Sequence, residues 1–105
     1  MFCRRCYRNM QNWDITAEEF RIKIMQGAVI IDVRSRQEYR EGHLEGAINI
    51  PEFEARNRIT KEILNKNQLI LIYCQYGGRR RNVCKLMRKI GYNNVYNLYG
   101  GLEML

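Results

Sequence analysis

The sequence has one proline, one histidine and no long apolar run, and each scarcity excludes a class of protein. A chain with a single proline and eight glycines is not rich in linkers. Its longest apolar stretch, residues 69–74, is far shorter than the roughly 20 residues that a membrane-spanning helix needs. No apolar segment follows the basic N-terminus, so we expect no signal peptide and no membrane association.

The composition is that of one small globular domain. The chain has 105 residues, of which 46% are apolar and 28% charged, enough to form one core. Its net charge of +7 indicates either an anionic partner or a basic surface that only maintains solubility. Its four cysteines are interpreted as reduced thiols, because we expect a cytoplasmic protein. Frequent lysine, asparagine and isoleucine hint at a bacterial origin.

Short apolar runs alternate with helical patterns, which predicts an α/β domain with a mostly parallel sheet. Capping boxes that begin at Thr16 and Ser35 open two of the helices. We expect strands over 28–33, 47–51, 69–73 and 95–98, one or two short helices within 52–66, a helix from about 79 to 90, and a terminal helix fragment. Residues 1–12 form either a disordered arm or an extra strand, and 13–105 form the domain.

The segment IYCQYGGRRR, residues 72–81, contains the best candidate for chemistry. Cys74 lies between the strongest strand and the strongest helix pattern. Ligands bind beyond the carboxyl ends of parallel strands, so we expect an exposed thiol at that edge. Glycines let successive backbone N–H groups point inward, and such a nest at a helix N-terminus attracts an anion. Helix N-termini and arginines lower the pKa of a thiol, which predicts a nucleophile. A small core cysteine is the alternative, but it leaves the glycines and arginines unexplained.

Four segments in order resemble the rhodanese (sulfurtransferase) family, and together they cover residues 13 to 102. VIIDVRSRQEY, residues 29–39, is similar to the family's Asp-x-Arg … Glu-Tyr/Phe segment, and GHLEGAINIP, residues 42–51, to its Gly-His-Ile-x-Gly-Ala-x-Asn-Ile-Pro segment. Residues 74–79 match its Cys-x-x-Gly-x-Arg loop, and residues 91–101 resemble its closing segment. The resemblance implies a rhodanese-like three-layer domain with a central five-stranded sheet flanked by helices.

The resemblance also implies a mechanism that needs no cofactor and no metal. Cys74 takes the outer sulfur of thiosulfate or of a persulfide donor, and the resulting persulfide passes the sulfur to cyanide or a thiol. The residues expected to hold the small sulfur anion are Gln75, Tyr76, Gly77, Gly78, Arg79 and Arg80. The residues interpreted as structure near the site are Asp32, Arg34, Glu38 and His43.

Two other functions remain open. Phosphatases and arsenate reductases of the same fold have five residues between cysteine and arginine, and Cys74 with Arg80 has that spacing. Gly77 and Arg79 fit the shorter sulfurtransferase loop, and Tyr73 replaces the histidine that usually precedes a phosphatase cysteine. A persulfide carrier that docks on an acidic or persulfide-exchanging protein is the other alternative. No aromatic pattern or recognition motif supports nucleic-acid binding.

The remaining cysteines have weaker interpretations. Cys3 and Cys6 lack the second pair that a zinc site needs, so a flexible arm is favoured over a dithiol or an intermolecular metal site. Cys84 is interpreted as a packing residue, with a resolving thiol as the alternative. Tyr76 is bulky, Arg80 replaces a small residue, and no tryptophan follows the last glycine pair. These departures from the family leave the choice of substrate open.

Overall fold

The computed structural model describes residues 10–75 and 82–105, and these form a five-stranded parallel sheet with helices on both faces. The strands are β1 (Asp14–Ile15), β2 (Val29–Asp32), β3 (Ile48–Asn49), β4 (Ile70–Tyr73) and β5 (Val95–Leu98). The helices are α1 (Ala17–Met25), α2 (Arg36–Glu41), α3 (Ala55–Glu62) and α4 (Asn82–Lys89), with 3₁₀ turns at Glu52–Glu54 and Leu102–Met104. The sheet order is β1-β5-β4-β2-β3, and every pairing among these strands is parallel. The predicted α/β fold is therefore confirmed.

Capping boxes start α1 and α2 where the sequence predicts them. In α1 the Thr16 hydroxyl accepts from the Glu19 amide at 3.2 Å, and the Glu19 carboxylate accepts from the Thr16 amide at 3.1 Å. Ser35 and Glu38 repeat the arrangement at the start of α2. Because the cap residue Ser35 directly follows the buried Arg34, this second cap fixes where the chain turns away from the sheet.

Strand β4 lies in the middle of the sheet, and all four of its residues are buried. Side chains alternate between the faces of a strand. Ile72 and the next residue on that face, Cys74, therefore pack with α3 and α4, while Tyr73 packs with Phe20 of α1. Adjacent residues at the end of β4 thus belong to opposite layers of the domain.

Two elements differ from expectation. Strand β1 was not predicted, because two residues are too short to show a period. Backbone bonds from Asn97 N to Trp13 O and from Tyr99 N to Ile15 O hold it on β5. Strand β3 has two residues where a strand over 47–51 was expected, and it lies at the sheet edge. The predicted beginning of the last long helix and most of the N-terminal arm lie outside the described residues. Within 10–75 and 82–105, no helix is long and apolar enough to cross a membrane.

Candidate functional site

Cys74 follows the last residue of the central strand, at the carboxyl edge of the sheet. Its carbonyl oxygen accepts a hydrogen bond from the Leu102 amide at 2.7 Å, which ties the last turn of the domain to the cysteine. The expectation of an exposed thiol is wrong, because the residue is 3% exposed and packs in the same cluster as Val33 and Val83.

A buried ion pair supports the same edge from the opposite layer. Asp32 is fully buried and Arg34 is 4% exposed. Arg34 Nη2 lies 2.8 Å from Asp32 Oδ2, Nε lies 3.1 Å from both carboxylate oxygens, and the Arg34 amide donates to Oδ1 at 2.8 Å. Burial works to lower the pKa of Arg34, but the hydrogen bonds and charge of Asp32 outweigh it and the pKa is raised. The guanidinium of Arg34 therefore stays charged.

The same guanidinium reaches the residue after the cysteine. Arg34 Nη1 donates to Gln75 Oε1 at 3.1 Å, and Nη2 also donates to the carbonyl of Gly42. One side chain thus joins the end of β2, the connection after α2 and the first residue of the segment that follows Cys74. The start of that segment is held from the side by a charge-assisted hydrogen bond.

Tyr73 completes this cluster. Its hydroxyl donates to Asp32 Oδ2 at 2.7 Å and accepts from the Leu44 amide at 3.1 Å. Burial raises the pKa of Tyr73. The hydrogen bond from the Leu44 amide lowers this pKa, whereas the Asp32 carboxylate raises it further. Because the net shift is upward, the phenol keeps its proton and remains a hydrogen-bond donor. From the sequence, Tyr73 was interpreted only as a residue that disfavours a phosphatase. The missed signal is a hydroxyl at the end of an otherwise aliphatic strand.

Glu38 and His43 lie around α2. Glu38 closes the capping box, and the imidazole of His43 stacks on Tyr39 with ring centroids 3.6 Å apart and an interplanar angle of 7°. His43 Nδ1 lies 2.8 Å from the Tyr39 carbonyl oxygen. The capping bonds of Glu38 and the contacts of His43 with Tyr39 join neighbours along the chain, and the interpretation of both residues as structural stays a prediction.

Asn49 is a second residue that sequence reasoning missed. Its amide nitrogen Nδ2 donates to the carbonyls of Asp32 at 3.1 Å and Arg34 at 3.0 Å. The side chain therefore pairs the backbone on both sides of Val33, where β2 has ended. The only sequence signal was its place in the segment GAINIP, which the family resemblance already included.

Several predicted residues lie outside the described part of the chain: Cys3, Cys6, Tyr76, Gly77, Gly78, Arg79 and Arg80. Their proposed roles stay predictions. Cys84 is described and fully buried, and its thiol donates to the Val95 carbonyl at 3.4 Å. Burial raises the pKa of Cys84 to about 12, with the charge of Arg88 opposing the shift. Across the described ranges, no three histidine, cysteine or acidic side chains are grouped to hold a metal.

Fold and site together define a three-layer α/β domain with a cysteine at the carboxyl end of its central strand. The family model of the rhodanese-like domain matches residues 16–104. The chain therefore belongs to the rhodanese-like domain family, and the predicted resemblance is confirmed.

Individual relatives agree with this assignment. Thiosulfate sulfurtransferase PspE of Escherichia coli is 37% identical over 73 residues, which cover 70% of this chain and 69% of the relative. The human single-domain sulfurtransferase TSTD1 superposes with a TM-score of 0.79 at 26% identity, over 90% of this chain and 95% of that one. The putative sulfur carrier protein YrkF of Bacillus subtilis is 33% identical over 86% of this chain, which spans 49% of that relative. The chain is thus similar both to a sulfurtransferase and to a protein named as a carrier.

Proposed function

We propose that this protein is a sulfurtransferase that carries a sulfane sulfur on Cys74. The observation that carries the proposal is the position of Cys74, directly after the central strand of a rhodanese-like domain. The 37% identity to a thiosulfate sulfurtransferase supports the same reaction class.

The first half-reaction loads the enzyme. The Cys74 thiolate attacks the outer sulfur of thiosulfate, the sulfur–sulfur bond of the donor breaks, and sulfite leaves with the electron pair. A persulfide remains on Cys74. A protein or small-molecule persulfide can replace thiosulfate as donor in the same displacement.

The second half-reaction removes the sulfur from the loaded enzyme. A nucleophile, either cyanide or a thiolate, attacks the outer sulfur of the persulfide, and Cys74 leaves as a thiolate. Each step exchanges one bond to sulfur for another, so the cycle needs no external oxidant or reductant. Two separate displacements give ping-pong kinetics.

The negatively charged sulfur on Cys74 needs hydrogen-bond donors whose positions are fixed before the charge forms. We assign this role to the backbone amides of the segment from Gln75 to Arg80, together with the Arg79 side chain. The bond from Arg34 to Gln75 supports the assignment, because it holds the first residue of that segment in one position. Donors that need no reorganisation stabilise developing charge most effectively.

The test is the intact mass of the purified protein after incubation with thiosulfate and removal of excess donor. We expect a gain of one sulfur atom that cyanide removes as thiocyanate. Cys74→Ser should not load, whereas Cys84→Ala and the Cys3→Ser/Cys6→Ser variant should load like the wild type. The last two variants separate the proposed thiol from the other cysteines of the chain.

Other outcomes identify the other functions. A Cys74-dependent release of phosphate or reduction of arsenate, without loading by any sulfane donor, would overturn the proposal. A persulfide that forms on Cys74 but discharges only to a protein, and not to cyanide or small thiols, would instead identify a carrier. The name of the relative YrkF makes that second outcome worth a separate assay with protein acceptors.

A further inference from the structure

The peptide group between Cys74 and Gln75 is hydrogen-bonded at one end and available at the other. Its carbonyl oxygen, on Cys74, accepts from the Leu102 amide at 2.7 Å. Its N–H, on Gln75, has no acceptor among the residues that the structure describes. An N–H directly after the candidate nucleophile is a donor that a negatively charged sulfur can use.

The bond from Leu102 also sets the direction of that N–H. A peptide group is planar, and the described chain contains no cis peptide bond, so the carbonyl and the N–H of one peptide point in opposite directions. Because the Cys74 oxygen is turned toward Leu102, the Gln75 N–H points away from the last turn of the domain. One hydrogen bond therefore decides which end of the peptide faces each side.

The strand pairing shows which sides these are. The Tyr73 carbonyl accepts a bond from the chain just after β2, so the next carbonyl, that of Cys74, points toward the side of β5, after which Leu102 follows. The Gln75 N–H then points toward the side of β2. Arg34 follows β2 and donates to Gln75 Oε1 at 3.1 Å, which agrees with this orientation.

The turn that carries Leu102 is held by contacts of its own. It follows Gly101, whose φ of +76° allows the sharp change of direction, and Leu102 begins a 3₁₀ turn. The Leu102 side chain packs with the cluster on the α1 side of the sheet, and Arg21 Nη2 donates to the Leu105 carbonyl at 3.3 Å. The first N–H of such a turn has no partner within the turn. The Leu102 amide is therefore a donor whose position does not depend on Cys74.

We infer that the Leu102 amide is a positioning group for the reaction at Cys74. It holds the Cys74–Gln75 peptide so that the Gln75 N–H, and not the Cys74 carbonyl oxygen, faces the negatively charged sulfur. The inference rests on the proposed sulfurtransferase function. It names a residue outside the segment 75–80 on which the first donor of that segment depends.

The physical reason is electrostatic. A carbonyl oxygen carries a negative partial charge, so a flipped peptide would replace a donor by an acceptor beside the sulfur. This change disfavours the thiolate and the anionic persulfide of Cys74, whereas it affects the neutral thiol much less. A flip therefore lowers the fraction of ionised thiol at a given pH and also slows loading.

The experiment removes the Leu102 N–H and keeps the rest of the turn. Leu102→Pro does this at the first position of a turn, where proline fits, and the extended ψ of −167° at Gly101 is compatible with a following proline. Leu102→Ala is the matched control, because it shortens the same side chain and keeps the N–H. Loading by thiosulfate is followed by intact mass from mildly acidic to alkaline pH.

Leu102→Pro should lower the second-order rate constant of loading about tenfold at neutral pH. Loss of a fixed donor to a developing anion costs about a hundredfold or more, but here the peptide still adopts the productive orientation part of the time. The pH at which loading reaches half of its maximum should rise by about one unit, because less thiolate forms at each pH. Leu102→Ala should keep the wild-type rate and midpoint.

The midpoint separates positioning from a merely structural role. The ion pair of Asp32 and Arg34, which bonds to Gln75, and the arginines at 79–81 are the same in every variant, so a shifted midpoint reports the peptide. Circular dichroism verifies folding. If Leu102→Pro does not fold, replacement of Leu102 by its α-hydroxy acid in cell-free translation gives the same test. The resulting ester keeps the side chain and has no N–H, and we expect the same shift.

The outcomes distinguish this inference from the function on which it rests. If no sulfane donor loads Cys74 in the wild type, both proposals are overturned. If the wild type loads and a folded variant without the Leu102 N–H keeps both rate and midpoint, the sulfurtransferase stands and the inference is wrong. Equal losses in Leu102→Pro and Leu102→Ala would also overturn it, because the side chain and not the N–H would then be responsible.

Discussion

Arg34 donates a hydrogen bond to Gln75 at 3.1 Å while the same guanidinium forms an ion pair with the buried Asp32. The residue that follows the candidate nucleophile is therefore connected to the least solvent-exposed charges of the described chain. Since a planar guanidinium offers five donors in fixed directions, it can serve Asp32, Gln75 and Gly42 together. A lysine at this position could not reach all three.

Arg34→Lys should lower the free energy of unfolding by about 2–4 kcal/mol, because Asp32 stays buried with a poorer partner. Loading of Cys74 by thiosulfate should slow about tenfold, since Gln75 loses its anchor. Urea unfolding and the loading rate measure the two effects. The matched control is Arg58→Lys, whose side chain is 34% exposed and pairs with Glu62 at the surface; its cost should stay below about 1 kcal/mol. Equal costs for the two variants would contradict this account of Arg34.

Tyr73→Phe removes a hydroxyl with two partners and leaves Asp32 buried and the Leu44 amide partly buried without their bonds. We expect a loss of about 1–3 kcal/mol in the free energy of unfolding, because Asp32 and the Leu44 amide each lose a bond. Tyr92→Phe is the control, since its hydroxyl serves only the Ile63 carbonyl among the described residues. The control should cost less, and a larger effect in Tyr92→Phe would argue against the cluster around Asp32.

Gly100→Ala tests how the last turn is built. Gly100 has φ +83°, and a Cβ added there would overlap Cγ of Met104. Gly46 has φ +82° and open space around it, so Gly46→Ala reports backbone strain alone. We expect about 1 kcal/mol for Gly46→Ala and about 2–3 kcal/mol for Gly100→Ala, measured by thermal unfolding. Adding Met104→Ala to Gly100→Ala should reduce the loss toward the Gly46→Ala value, and no reduction would exclude the overlap as its cause.

Cys84 should be the unreactive thiol of the chain. Its pKa is raised to about 12 by burial, so almost no thiolate is present at pH 8 in the folded protein. In a variant with Cys3, Cys6 and Cys74 all replaced by serine, alkylation at pH 8 should be at least about a hundredfold slower than in urea. Rapid labelling under native conditions would show that the helix carrying Cys84 opens far more often than its packing implies.

The same thiol gives stability a dependence on alkaline pH. In the unfolded chain Cys84 ionises from about pH 9, whereas the folded protein keeps its proton until about pH 12. Between these values the unfolded state binds fewer protons, so stability falls as pH rises. The raised pKa of Tyr73 acts in the same direction above pH 10. Cys84→Ala should show a shallower fall of unfolding free energy between pH 9 and 11 than the wild type, and an equal slope would contradict the assignment.

Sequence patterns were sufficient for the elements that are set locally. The capping boxes at Thr16 and Ser35 predicted two helix starts, and β5 was predicted at residues 95–98, the range it occupies. Strand β1 could not be predicted from the sequence, because two residues are too few to show an alternating pattern. The strand depends on backbone bonds from Asn97 and Tyr99, which lie far along the chain. The sequence offered an extra strand only as one alternative for residues 1–12, and the count of five strands came from the family resemblance.

In the candidate site, too, locally encoded features could be predicted and contacts between distant segments could not. Cys74 could be found because glycines and arginines follow it directly in the sequence. The contacts of Arg34 with Gln75, of Tyr73 with Leu44 and of Leu102 with Cys74 join segments that are distant in the chain. No local pattern encodes such contacts, since they depend on which strands become neighbours in the sheet. The burial of Cys74 was missed for the same reason.

Successive side chains of β4 lie on opposite faces of the sheet, and this limits insertions and deletions in the strand. Tyr73 and Cys74 are adjacent, yet the first serves the ion-pair layer and the second faces α3 and α4. Deleting or inserting one residue between Ile70 and Tyr73 would turn the thiol toward the layer of α1 and the phenol toward α3 and α4. Substitutions within this strand can be absorbed by repacking. Its residue count cannot change by one without exchanging the side chains that face α3 and α4 with those that face α1 and the ion pair.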